Sequence, residues 1–168
     1  AKNEEIKHAV LTAGIASMAS GKSISIGESQ ESSRPPLTGK EGLTRVAIES
    51  WLDGCLHEGL AAKEVTLQAE QASDPHIREA LIQIAEDESR HHELAWDILD
   101  WALQQGGPEL REALKAVRDS LPHFDPASLE TNEELQGLGA LSLRHRNALY
   151  EKHVSTSRQR LNNLLEAQ

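Results

Sequence analysis

The segment SDPHIREALIQIAEDESRHHELAWDILDWALQQGG (residues 73–107) predicts one long helix with a marked start and a marked end. Serine and aspartate cap the free amides of a helix start, and proline is tolerated in the first helical turn, as at residues 73–75. Glycine commonly ends a helix, as at Gly106 and Gly107. We therefore predict a helix from His76 to Gln105 that follows a turn.

A stripe of mostly nonpolar residues runs along this helix at alternating steps of four and three residues, the pattern of a helix that packs along its length. Its positions are Ile77, Leu81, Ile84, Glu88, His91, Ala95, Ile98 and Ala102. The preceding segment, residues 41–72, contains no proline and repeats the same steps. Its positions are Thr44, Ile48, Trp51, Cys55, Glu58, Ala62, Val65 and Ala69. The two stripes predict an antiparallel helix hairpin over residues 41–105 and an all-α fold.

The remaining segments predict shorter helices and loops. Residues 1–40 combine a short helix, at 3–20, with a linker rich in serine, glycine and proline. Residues 41–168 form the main helical domain. After the hairpin, we expect a helix from Pro108 to about Leu121, an irregular stretch at 122–141 and a last helix from Ser142 to about Glu166. No segment has the alternating pattern that predicts a β-strand.

The composition argues against several classes of function. The net charge of −10 argues against a nucleic-acid-binding surface, which would need a basic face. The longest weakly nonpolar run, residues 9–20, is too short to span a bilayer. Cys55 is the only cysteine, so the chain offers neither an intrachain disulfide nor a cysteine-based zinc site. The absence of disulfides is normal for cytosolic proteins but leaves the location open.

Three polar side chains interrupt the two stripes at the same height. Glu58 lies 15 residues before Ser73, and Glu88 and His91 lie 15 and 18 residues after it. At a rise of ~1.5 Å per residue, all three lie roughly 23–27 Å from the turn. A buried carboxylate that is charged and unpaired costs several kcal/mol, so another group must compensate it.

A transition metal is the compensating group that this arrangement favours. Glu88 and His91 are three residues apart, which places both on one face of one helical turn. Helix bundles bind iron or manganese through such a Glu-x-x-His pair and a further glutamate from a neighbouring helix. We therefore predict Glu58, Glu88 and His91 as metal ligands. We assign no ligand role to the other candidates, which are Cys55, His57, Glu86, Asp87, His92, His145, Glu151 and His153.

Residues 43–104 resemble the ferritin-like domain family, and particularly a group of bacterial ferritin-like proteins of poorly defined function. The phrase GCLHEGLAA contains Glu58, and the phrase IAEDESRHHELAW contains Glu88 and His91. The 30-residue interval between the two glutamates is similar to that of the encapsulated ferritins. The resemblance implies a ferritin-like antiparallel bundle and a di-iron carboxylate site, with manganese as the alternative metal.

One Glu-x-x-His pair makes only half of the usual site, since ferritin-like bundles commonly place two such helix pairs in one chain. The C-terminal helix contains no second pair at a matching height. We therefore expect two chains to pool their half-sites about a twofold axis, as a homodimer or a higher homo-oligomer. A missing N-terminal region or another partner is the alternative. A single Fe²⁺ in a facial arrangement is the third.

The resulting hypothesis is a protein that oxidises Fe²⁺ with O₂ or peroxide, in which Glu88 bridges two metals, Glu58 is a terminal ligand and His91 supplies nitrogen. Two other functions remain open. The same site would serve a di-iron oxygenase or oxidase that acts on an organic substrate. Alternatively, the chain is a non-catalytic helical scaffold with a vestigial site, and so not an enzyme.

Overall fold

The computed structural model describes residues 2–27, 37–121 and 133–167, and every regular element within them is a helix. The elements are α1 (Lys2–Ser20), α2 (Gly39–Glu49), a π-helix (Ser50–Glu58), α3 (Gly59–Gln71), α4 (Pro75–Gln105), α5 (Pro108–Asp119), α6 (Glu133–Gly137) and α7 (Leu143–Glu166). The all-α prediction is confirmed. Residues 28–36 of the predicted linker and 122–132 of the predicted irregular stretch lie outside the described residues.

Helix α4 begins and ends where its capping residues predict. The side chain of Asp74 accepts hydrogen bonds from the backbone amides of His76 and Ile77, at 2.8 and 3.1 Å. These two bonds stabilise the carboxylate and lower the pKa of Asp74. Gly106 follows the last helical residue. Helix α7 begins with Ser142, whose side chain accepts from the amide of His145.

The predicted continuous helix over residues 41–72 is interrupted by the π-helix, which the heptad-like steps did not predict. Its wider winding is visible at its end, where the amide of Gly59 points to the carbonyl of Gly54, five residues earlier. Short π-helical segments inside α-helices occur often at functional sites. Glu58, a predicted ligand, is the last residue of this segment.

Helices α3 and α4 run antiparallel, and a polar layer divides the nonpolar core between them. On one side, the rings of Trp51 and Trp96 pack edge to face with 5.9 Å between centroids. On the other side, Ala69 and Leu81 belong to a second nonpolar cluster with Ala72 and Ile77. The layer between the two clusters contains the predicted ligands.

Helix α1 lies along α4 in the opposite direction. His8 of α1 contacts Asp87 of α4, and Ile15, further along α1, packs against the second nonpolar cluster. His8 is the one residue of α1 that is fully buried. The predicted domain boundary at residue 40 stays a prediction. In the described ranges, no helix is both long and apolar enough to cross a membrane.

Candidate metal centre

Two copies of one short motif face each other at the polar layer. Helix α1 contains Glu4-Glu5-Ile6-Lys7-His8, and α4 contains Asp87-Glu88-Ser89-Arg90-His91. Each copy has an acidic residue, a glutamate and, three residues after that glutamate, a histidine. This spacing places the glutamate and the histidine of each copy on one face of its helix. Because α1 and α4 are antiparallel, the two faces meet with their motifs reversed.

The glutamates at the centre each place one oxygen near each imidazole. Glu88 Oε1 lies 3.0 Å from His8 Nδ1, and Glu88 Oε2 lies 3.8 Å from His91 Nδ1. Glu5 Oε1 lies 3.4 Å from His91 Nδ1, and Glu5 Oε2 lies 3.8 Å from His8 Nδ1. The two ring centroids are 6.4 Å apart. The arrangement creates two neighbouring positions, each with one nitrogen and two carboxylate oxygens nearby.

The outer nitrogen of each imidazole donates to a carboxylate of the opposite helix. His8 Nε2 donates to Asp87 Oδ2 at 3.0 Å. His91 Nε2 donates to Glu4 Oε2 at 2.8 Å. Arg90 links the two acids, with Glu4 Oε1 at 3.2 Å and a close contact to Asp87. Such carboxylates fix the tautomer and the orientation of a histidine that binds metal through its other nitrogen.

The inner Nδ1 atoms of both histidines are buried and make no hydrogen bond. His8 is 6% exposed and His91 is 8% exposed, so water has little access to either ring. With Nε2 as the donor, the neutral ring leaves a lone pair on Nδ1, which must find a partner or remain unsatisfied. A metal ion at each inner position would bind that lone pair, so the donor set fits a metal.

The carboxylates and imidazoles strongly influence each other's protonation. Burial raises the pKa of Glu88, and the charge of Glu5 raises it further. Burial lowers the pKa of His91, but its hydrogen bond to Glu4 and the charge of Glu58 outweigh this effect, so the net shift is upward. The hydrogen bond from His8 lowers the pKa of Asp87. The inner glutamate is thus destabilised as an anion, whereas the outer Asp87 is stabilised.

Glu58 lies beside this cluster rather than inside it. Among the described residues, the group whose ligand atoms all lie within 4.8 Å of one another consists of Glu5, Glu88 and His91; it leaves out His8, which contacts Glu88 at 3.0 Å, as well as Glu58. Glu58 is half-buried; burial raises the pKa of its carboxyl group, and the charge of His91 lowers it. Its role as a ligand stays a prediction.

The structure brings Glu88 and His91 together as the sequence predicts, and adds Glu5 and His8. The expectation that the chain contains one Glu-x-x-His pair is wrong, because residues 5–8 have the same spacing. The signal was available in the sequence. The weak nonpolar pattern of α1 does not reveal it, because the polar face of this helix, with His8, points inward.

The centre is accessible on the side of α1. The side chain of Glu5 is 53% exposed, whereas that of Glu88 is 10% exposed. The carboxylate of Glu5 is therefore the part of the centre that solvent reaches most readily.

Comparison with protein-family models, with curated proteins and with solved structures gives no match to this chain.

Proposed function

We propose that this chain binds two transition-metal ions between α1 and α4, and that the ions are iron or manganese. The observation that supports the proposal is the pair of buried Nδ1 atoms without hydrogen bonds, each flanked by oxygens of Glu5 and Glu88. Hard carboxylate oxygens combined with one imidazole per ion favour iron or manganese over softer metals. A ferritin-like arrangement of the helices is part of the same proposal.

Each residue has a distinct role in this proposal. Glu5 and Glu88 would each hold both ions, since each glutamate reaches towards both imidazoles. His8 and His91 would each supply one nitrogen to one ion. Glu58, whose carboxylate is close enough to interact with the charges of His91 and Glu88, would be a terminal ligand. Bound iron would supply the capacity to exchange electrons with O₂ or peroxide.

Oxidation of Fe²⁺ by O₂ or peroxide is the function that we favour. The half-exposed Glu5 gives Fe²⁺, as the substrate, access to the centre. Asp87 and Glu4 hold the imidazoles in place, so that the geometry survives the arrival of an ion. With both Glu-x-x-His pairs in one chain, the proposed site needs no second subunit. The homodimer expected from the sequence stays a prediction.

Anaerobic titration with Fe²⁺, followed by admission of O₂, tests this proposal. We expect two Fe²⁺ per chain and their oxidation in air, with binding lost in the His8→Ala and His91→Ala variants. His57→Ala is the matched control, because this histidine is next to Glu58 but its side chain is 75% exposed. One Fe²⁺ per chain in a dimer would instead support the shared half-site. Unchanged binding in both histidine variants would refute the metal site.

Oxidation of an organic substrate is the second candidate, favoured by a mainly nonpolar groove of about 610 Å³ between α3 and α4. Ala69, Ile82 and Ala85 line it, together with Arg90, which also contacts the acids of the centre. Filling the groove with Thr66→Trp separates the two candidates. If the Thr66→Trp variant oxidises Fe²⁺ as fast as the wild type does, simple iron oxidation is favoured. If the variant no longer consumes O₂, a substrate that binds in the groove is favoured.

A further inference from the structure

A second pair of histidines, one from α4 and one from α7, contacts the backbone of the π-helix. His153 of α7 is buried, and its Nε2 lies 3.1 Å from the carbonyl oxygen of Cys55 and 3.0 Å from that of Leu56. Lys63 Nζ donates to the other ring nitrogen, Nδ1, at 2.6 Å. The ring is therefore a neutral tautomer whose Nε2–H donates to the π-helix. Burial and the charge of Lys63 lower the pKa of His153 to about 4, which keeps the ring neutral.

His92 of α4 makes the corresponding contact with the preceding residue of the π-helix. Its Nδ1 lies 3.3 Å from the carbonyl oxygen of Gly54. The indole of Trp96 donates to His92 Nε2 at 3.2 Å, so the ring proton is on Nδ1 and points to that carbonyl. The rings of His92 and His153 have centroids 5.8 Å apart. Together they offer donors to three consecutive carbonyls.

These donors reach carbonyls at the end of the π-helix, two of which, those of Gly54 and Leu56, also accept from the amide of Gly59. In an α-helix the carbonyl of Gly54 would accept from the amide four residues later, whereas here the amide of Gly59, five residues later, points to it. Each carbonyl oxygen has two lone pairs, so it can accept from an imidazole as well as from a backbone amide. Because the imidazoles of His92 and His153 bind these carbonyls in their present directions, they favour the wider winding over the α-helical register.

Two glycines allow the histidines and α4 to approach this closely. A Cβ atom added at Gly59 would clash with the ring of His92 and lie 2.9 Å from that of His153. A Cβ atom at Gly54 would clash with Ala95 and lie 3.6 Å from Glu58 Oε2. The carboxylate of Glu58 therefore folds back over Gly54, towards α4. Its direction depends on the register of the residues between the two glycines.

We propose that His92 and His153 are positioning residues that hold the π-helix and thereby direct Glu58 towards the metal centre. A change of register by one residue rotates a side chain by about 100° around the helix axis. Such a rotation would turn Glu58 away from His91 and Glu88. This inference rests on the proposed metal-binding function, and attributes the position of Glu58, its proposed terminal ligand, to two histidines that do not bind the metal themselves.

The affinity for Mn²⁺ tests the role of His153. Binding is measured as the decrease in the electron paramagnetic resonance signal of the free ion. We expect His153→Leu to weaken Mn²⁺ binding by about 10- to 100-fold, the range for residues that support metal ligands indirectly. His153→Gln retains an N–H group close to the position of Nε2 and is expected to restore most of the affinity. The exposed His145 of α7 provides the control His145→Leu, which leaves binding unchanged.

A double-mutant cycle with Glu58 separates positioning from a general loss of stability. If His153 acts through Glu58, Glu58→Gln weakens binding in the wild type but adds little in His153→Leu. Additive effects, or binding in His153→Leu equal to that of the wild type, would overturn the inference. The pair His92→Leu and His92→Asn repeats the test at Gly54, should His153→Leu fail to fold.

Metal binding by the wild-type chain separates a failure of the positioning role from a failure of the proposed function. A wild type that binds no Mn²⁺ or Fe²⁺ refutes the proposed function and the inference together. A wild type that binds two ions, with both leucine variants unaffected, supports the function and overturns only the positioning role.

Discussion

At the scale of single residues, the centre is organised by which nitrogen of each imidazole is already engaged. His8 and His91 each use Nε2 to bind an acid on the opposite helix. That bond leaves Nδ1 directed at Glu5 and Glu88. This arrangement, with Nε2 bound to an outer acid and Nδ1 facing the inner glutamates, occurs once on each helix. Because the two helices are antiparallel, the two copies give the centre an approximate twofold symmetry within one chain.

Removal of an outer carboxylate is expected to weaken metal binding without removing a ligand. In Asp87→Asn, His8 loses a charged acceptor, and the ring becomes a poorer and less well oriented ligand. We expect Mn²⁺ affinity to fall by about 10- to 100-fold. Glu86→Gln is the control, because this neighbouring side chain is exposed and takes no part in the centre. Equal affinity in the two variants would contradict the role of Asp87.

The metal-free protein is expected to become more stable as the pH falls from about 8 to about 6.5. The pKa values of Glu58 and Glu88 are raised above the ordinary 4.5, and that of His91 is raised above 6.5. In each case the folded state holds its proton more tightly than the unfolded state, so stability is lost as the pH rises through the folded-state pKa. The lowered pKa values of His92 and His153 have the opposite effect below about pH 6.5, and the lowered pKa of Asp87 opposes the trend only at still lower pH.

Thermal melting at several pH values, with and without Mn²⁺, measures this dependence. Metal ions require the deprotonated ligands, so Mn²⁺ is expected to stabilise most at the higher pH and to reverse the slope. Glu88→Gln removes one of the titrating groups and is expected to flatten the curve of the metal-free protein. A metal-free protein that is most stable at about pH 8 would contradict the assignment.

At the scale of elements, the winding of the π-helix depends both on its own glycines and on the helices packed against it. Gly54 and Gly59 lack the side chains that would collide with α4 and α7. Trp51 and Cys55, in the same segment, are completely buried in the larger nonpolar cluster. Close packing on two sides therefore holds a segment whose winding differs from that of the helices before and after it.

Gly54→Ala is expected to destabilise the protein, because the new Cβ atom would collide with Ala95. Overpacking of this kind costs about 1–3 kcal/mol, measured as a decrease in the free energy of unfolding in urea. The control is Gly14→Ala, where a Cβ atom meets nothing within 4 Å. That substitution is expected to be neutral or to stabilise α1 by about 0.5–1 kcal/mol, the usual advantage of alanine over glycine inside a helix.

At the scale of the whole molecule, α1 is held by the candidate centre more than by nonpolar packing. His8 is its one fully buried residue, whereas Ile6, Val10 and Met18 are at least half exposed. By contrast, α5 and α7 contribute Leu114 and Leu161, both completely buried, to the larger core. The attachment of α1 therefore depends on whether the charges between it and α4 are neutralised.

Metal binding is expected to protect α1 from hydrogen exchange more than any other helix. Without metal, Glu5 and Glu88 repel each other across the helix interface, and α1 opens readily. An ion that binds only the closed arrangement stabilises that arrangement by mass action. Exchange measured by mass spectrometry is expected to slow in α1 on addition of Mn²⁺ and to stay unchanged in α5. Equal protection of both helices would contradict this prediction.

The sequence alone predicted most of the helical elements, because their signals are local; the π-helix and α6, which lies in the stretch expected to be irregular, are the exceptions. The cap at Asp74, the glycines after Gln105 and the nonpolar steps along α4 act over a few residues and correctly predict the longest helix. Glu88 and His91 were also found locally, since a spacing of three places both on one helical face. For the same reason, Glu5 and His8 were within reach of the same search.

Only the tertiary structure decided which helix faces which, and how the π-helix is wound. The docking of α1 against α4 joins residues about 80 positions apart in the chain, as in the bond between His8 and Asp87. The π-helix depends on donors from α4 and α7, which no segment contains within itself. Long-range contacts thus select one packing partner for α1 and one winding for the π-helix from those that the local sequence permits. They do so because a buried polar group has no water to replace a missing hydrogen-bond partner.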